Sequence, residues 1–234
     1  TSRAPRTSVT NAYRPPSAVP PVIKNLLILN GLVFLAQQIP PLSFYLNTYA
    51  SLWPLGTPSV VDVVPYGPID NVGFYPWQVV TSASLHADVW HILFNMYGLW
   101  LFGNSVEREI GSKRFATLYG ASVLGASALQ LAVATGTLAS GGGLITTIGA
   151  SGGLLGVVMA AAILFPRAEL FIIPFPVPIQ LRWLAIGYIA LDVLGGFGLT
   201  QSNVAHFAHL GGAATGALLL QYWRGRLPLR PRTA

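Results

Sequence analysis

Four groups of polar residues stand inside or at the edges of strongly apolar stretches: His86 with His91 and Asn95, Ser151, His206 with His209, and Asp192. Polar groups in such stretches are expensive to keep, and those that persist there tend to mark function. Ser151 lies in Gly149-Ala150-Ser151-Gly152-Gly153. The glycines allow another backbone to come close, and the unpaired amides at a helix start could hold an oxyanion. A serine between glycines serves equally well as a packing device, so the motif alone leaves both readings open. His209 lies in Ala208-His209-Leu210-Gly211-Gly212, with Gly216 one turn further on. An imidazole beside a serine hydroxyl can take its proton and make it a nucleophile. His91 and Asn95 are four apart and share a helix face, where N–H donors could stabilise a developing oxyanion or simply form a polar helix contact.

The elements that must position these residues are apolar helices. Of the 234 residues, 53% are hydrophobic and 9% charged, far below the roughly 25% charged residues of a soluble domain. Six apolar stretches cover about 22–39, 89–106, 115–137, 150–165, 183–199 and 204–223. Several are near the short end of the ~17–25 residues that a spanning helix needs. If the spans alternate, all 13 lysines and arginines fall on one side, and the opposite loops at 40–88, 138–149 and 200–203 hold none. Positive loops remain on the cytoplasmic side, so both termini are expected there. The excess of +6 thus belongs to a membrane protein and not to a nucleic-acid partner. The expected organisation is a basic disordered tail at 1–21, a six-helix membrane domain at 22–224 and a basic tail at 225–234. A bacterial inner (plasma) membrane is the expected location.

Small residues recur every four positions at Ala208, Gly212 and Gly216, and again at Gly152, Gly156 and Ala160. Such stripes let helices pack with their backbones nearly touching. At about 100° per residue, His209 lies on the stripe face of its helix and His206 farther round. Ser151 and His209 also enter from the same side, so the two are expected to be neighbours at equal depth. Gly149, Gly152, Gly212 and Gly216 are the expected packing positions around them. The loop at 40–88 is rich in Tyr, Trp, Pro and Gly, which favours a structure settled in the headgroup layer.

The series His86-Ala87-Asp88-Val89-Trp90-His91-Ile92-Leu93-Phe94-Asn95, Glu107 before Gly111-Ser112, Gly149-Ala150-Ser151-Gly152, and Ala208-His209-Leu210-Gly211-Gly212 with Gly216 resembles the rhomboid intramembrane serine proteases. The resemblance runs in order from about Trp77 to Gly216. It implies an all-α, six-helix bundle with a long membrane-associated first outer loop. It further implies Ser151 as nucleophile, His209 as general base, and an oxyanion site formed by His91, Asn95 and the Ser151 amide, with His86 nearby. Transmembrane proteins would be the substrates. Three positions depart from the family pattern: Gln78 follows Trp77 where arginine is common, Glu109 stands where Glu-x-Arg would have arginine, and Leu155 stands where an aromatic often stacks on the catalytic histidine.

No cofactor and no metal are expected, since no HExxH occurs and the histidines are split between two helices. Asp192 has no evident partner and no evident path to His209, so a Ser–His pair without an acid is the simpler assignment. The rival readings are a non-catalytic factor that binds transmembrane helices and a channel or transporter. The first would be marked by loss of Ser151 or His209. The second fits poorly with polar groups gathered at one depth.

Overall fold

The computed structural model of the chain describes residues 18–63, 67–171, 178–198 and 205–228. The expected tails at 1–21 and 225–234 therefore lie largely outside the described residues, as does the short loop expected at 200–203. The described chain forms helix α1 (Pro21–Ala36), helix α2 (Pro40–Tyr49), the strands β1 (Val60–Val63) and β2 (Gly67–Asp70), and the short helix α3 (Gln78–Thr81). Next come α4 (Val89–Gly98), a π-helical stretch (Leu99–Gly103), α5 (Asn104–Ile110), α6 (Ser112–Ala139) and α7 (Ser151–Leu164). The strands β3 (Glu169–Phe171) and β4 (Pro178–Gln180), then α8 (Leu181–Gly196) and α9 (His206–Trp223), complete it. Both strand pairs are antiparallel.

Each of the six apolar stretches holds helix. Among the described residues α6 alone is long and apolar enough to cross a membrane by itself, and α1 with α2 makes a second candidate if that bent pair is taken as one span. Length and composition thus give one or two crossings where the apolar pattern suggests six. The shortfall has identifiable causes. With its 14 residues, α7 rises about 21 Å at 1.5 Å per residue, below the ~30 Å of a hydrocarbon core. The second stretch runs helically from α4 to α5 but is interrupted by the π turn at Leu99–Gly103. Between α1 and α2 the chain bends by 116°, at the Ile39-Pro40 step where the residue before proline leaves the helical region. The helices carry large apolar side chains outward: Leu32, Leu35, Trp90, Phe94, Trp183 and Leu191 are each more than half exposed. An exterior of this kind suits hydrocarbon rather than water.

The start of α1 shows how the bundle is stitched together. Pro21 at its first position has no N–H to satisfy. The next two amides, of Val22 and Ile23, donate to Oε1 and Oε2 of Glu107 at 3.0 and 2.9 Å. Ser112 Oγ, at the start of α6, donates to the same Oε1 at 2.7 Å. The buried carboxylate therefore caps one helix and ties it to the junction of two others, and Arg108 beside it donates to the Ala18 carbonyl. Glu107→Ala would strand these donors. We expect it to cost about 2–3 kcal/mol, read as a lower unfolding midpoint in detergent, while Glu109→Ala serves as an exposed control.

Candidate functional site

The site rests on α9, which packs against α6, α7 and α8. Glycines set how close these helices come. A Cβ on Gly212 would overlap the Gly152 carbonyl, and one on Gly216 would stand 2.6 Å from Gly156 Cα and its carbonyl oxygen. On the other side of α9, Gly211 abuts the Gly125 carbonyl of α6. Ser151 opens α7 and His209 lies in the first turn of α9. Their Oγ and Nε2 atoms are 2.7 Å apart.

The loop that delivers Ser151 is held from two directions. Leu52, in the long segment between α2 and α4, forms a two-bond bridge with Thr147, with both N···O distances 3.0 Å. The Gly149 amide donates to the Ser82 carbonyl at 2.9 Å. Gly149 has φ of +125°, a conformation open to glycine, and a Cβ there would come within 2.8 Å of His91 Nε2. Gly149 thus makes room for a histidine and takes no part in helix packing, unlike Gly152, Gly212 and Gly216. The first loop itself is knit by Gln78. Its buried side chain accepts from the Trp53 amide at 3.2 Å and donates to the carbonyls of Gly73 and Tyr49 at 2.9 and 3.3 Å. Trp77 Nε1 also reaches the Tyr49 carbonyl, at 2.9 Å. The glutamine after Trp77 is therefore the strut of the loop.

Near Ser151, His91 is fixed at the start of α4. Asp88 caps that helix by accepting from the His91 amide at 2.9 Å, and the ring's Nδ1 accepts from the Ala87 amide at 3.3 Å. That bond leaves Nε2, which faces Gly149, as the protonated nitrogen of the neutral ring. Asn95 is buried, and its amide donates back to the His91 carbonyl at 3.0 Å. His86 lies edge-on to His91, with ring centroids 5.0 Å apart, and its backbone is clasped by Gln37 through bonds of 3.0 and 3.2 Å. Burial, with His91 adding to it, pushes His86 down to about 4, so its ring is neutral at physiological pH. A cavity of about 20 Å³ opens beside Ser151, lined among others by Ser82, Ser127, Gln130 and Thr147. That is room for a single water.

Asp192 overturns the expectation that it has no path to His209. Its Oδ1 accepts from Nδ1 of His209 at 2.9 Å and from Nδ1 of His206 at 2.8 Å. His206 faces α8, where a Cβ on Gly195 would collide with its ring. The sequence signal was available in hindsight as Asp192 and Gly195, three apart and so on one face of α8. What was missing was which helix that face meets. Among the described residues no group of three or more His, Cys, Asp and Glu has the arrangement of a metal site.

Comparison with known proteins gives a consistent answer. The family model described as "Rhomboid domain" matches residues 74–225. The chain is 36% identical over 152 residues to RHOMBOID-like protein 12, mitochondrial, of Arabidopsis thaliana, covering 60% of this chain and 44% of that protein. It is 34% identical over 142 residues to Rhomboid protein 1, mitochondrial, of Saccharomyces cerevisiae, covering 60% and 40%. It is 29% identical over 141 residues to Rhomboid protease GluP of Bacillus subtilis, covering 60% and 24%. The chain thus spans less than half the length of these relatives. The two mitochondrial names overturn the expectation of a bacterial inner membrane. Loop charge bias orients a protein across whichever membrane it enters and carries no information about which membrane that is. With its helical bundle, its apolar exterior and a family match over most of its length, the chain belongs to the rhomboid family of helical membrane proteins.

Proposed function

We propose that this chain is an intramembrane serine endopeptidase that cleaves transmembrane protein substrates, with Ser151 as nucleophile and His209 as general base. The observation that carries the proposal is the 2.7 Å separation of Ser151 Oγ and His209 Nε2, within the reach needed for proton transfer. His209 Nε2 takes the hydroxyl proton as Oγ attacks the scissile carbonyl. The oxyanion meets the free amides at the start of α7 together with the Nε2–H of His91. Asn95 and His86 support His91 from behind. The amine leaves with the proton from Nε2, and a water then cleaves the acyl-serine by the same path in reverse. The small cavity beside Ser151, with Ser82, Ser127, Gln130 and Thr147 among its lining residues, has room for that water.

In this reading the six apolar helices all cross the bilayer, the short ones by local thinning, and the first outer loop lies in the headgroup layer. Both termini share the positively charged side. The absence of cysteine makes this directly testable with an impermeant thiol reagent on sealed, uniformly oriented vesicles. Val60→Cys is expected to react from one side only, and Thr10→Cys and Arg230→Cys only after the vesicles are opened, or the reverse for inverted vesicles. Reaction of all three from one side would overturn the crossing pattern. The activity itself is tested by a fluorophosphonate probe on the purified protein. Labelling that disappears in Ser151→Ala supports the assignment, and equal labelling of that variant refutes it.

A further inference from the structure

We infer that Asp192 on α8 is a positioning residue for the reaction, completing a Ser151–His209–Asp192 relay in which His206 is the second clamp on the same carboxylate. The inference rests on the Ser151–His209 reading above and goes beyond it by adding an acid from a third helix.

The chemistry follows from hydrogen-bond polarity. An ionised carboxylate only accepts, so both contacts to Asp192 Oδ1, at 2.8 and 2.9 Å, require the proton on Nδ1 of each imidazole. A neutral His209 with its proton on Nδ1 must carry its lone pair on Nε2, and Nε2 is the atom 2.7 Å from Ser151 Oγ. Asp192 therefore selects the tautomer that can accept the serine proton and holds the ring at the angle that aims it. A second effect follows once the proton has moved: the carboxylate then faces an imidazolium, and the pair is favourable where water is scarce.

The surroundings are built for this contact. The Asp192 side chain is buried, and its Oδ2 has no partner among the described residues. Taking a carboxylate out of water is costly unless it is paired and hydrogen-bonded, so the two imidazole N–H groups are what Asp192 relies on here. Gly195, one turn along α8, leaves the space that the His206 ring occupies. The two histidine rings meet edge to face, at 87° with centroids 6.5 Å apart, which fans them around a single oxygen. The carboxylate holds the His209 ring through Nδ1.

The test is steady-state cleavage of a transmembrane substrate in proteoliposomes, with kcat expressed per folded molecule from the monodisperse fraction. Ser151→Ala must first abolish cleavage by the parent; if it does not, the Ser151–His209 reading fails and the relay fails with it. Given that, Asp192→Asn is expected to lower kcat at least about 100-fold with KM changed less than about threefold. That is less than the ~10⁴-fold loss when the acid of a soluble triad is replaced, because the amide oxygen can still accept from the imidazoles although it no longer carries the charge that faces the imidazolium. In a His209→Ala background the same substitution is expected to cause no further loss, since there is then no ring to position. A kcat within about threefold of the parent, or a fall in folded yield with unchanged kcat per folded molecule, overturns the proposal. So does an equal loss in both backgrounds. Should Asp192→Asn give no folded protein, His206→Ala decides. Loss of about tenfold in kcat at constant KM, the scale of a supporting contact, sustains the relay, and unchanged kcat overturns it.

Discussion

Ser151→Ala and His209→Ala are each expected to reduce kcat for a reconstituted substrate by roughly 10⁶-fold, and the double variant to be hardly worse than either alone. That corresponds to about 8 kcal/mol of transition-state stabilisation. The reason for the shared magnitude is that the two side chains act as a unit across one 2.7 Å contact. Without the imidazole the hydroxyl is a poor nucleophile, and without the hydroxyl the imidazole has no proton to take. Ser151→Ala removes a single atom from a partly buried pocket, so its unfolding midpoint should move little, whereas His209→Ala also takes one of the two donors from buried Asp192 and should lower the midpoint. Retained cleavage by both variants at unchanged yield would remove the enzyme reading itself. Asn95→Ala should do less: its amide already spends a donor on the His91 carbonyl, and other N–H groups converge on the oxyanion position.

The second large effect concerns packing. Gly212→Val is expected to leave little folded, active protein. Even the first carbon of a side chain at this position would overlap the Gly152 carbonyl, and the neighbour is backbone, which cannot rotate away. Relief requires α9 to move off α7, at a cost of at least about 3 kcal/mol. The same motion would part Ser151 from His209, because each lies within one turn of a contacting glycine. Gly120→Ala on α6 is the matching control: a Cβ there meets nothing within 4 Å, and alanine should be neutral or stabilising by up to about 1 kcal/mol. Thermal unfolding and probe labelling of both variants would check this. Normal folding of Gly212→Val would mean that the helices are not in backbone contact.

Some of this was legible along the chain because it depends on periodicity. A repeat of small residues every four positions defines a helix face whatever that face touches, and a histidine on that face is carried with it. Ser151 and His209 could be placed at one depth because each follows the entry of its helix by a few residues.

What only the tertiary structure decided is which faces meet. Asp192 precedes His206 and His209 by 14 and 17 residues, on a different helix, and the phase of α8 relative to α9 is set by how Gly195 receives the His206 ring, not by either helix's own repeat. The partnership between the long segment after α2 and the segment before Ser151 is likewise invisible in sequence, because the Leu52–Thr147 bridge uses backbone groups that every residue possesses. The capping of α1 by Glu107 joins positions 84 and 85 residues apart. Periodicity along the chain determined that it is a set of apolar helices, two of which carry small-residue stripes with a histidine on the face of one. Side-chain hydrogen bonds across helices decided that an aspartate stands behind that histidine, because a buried carboxylate must find its donors wherever the fold brings them.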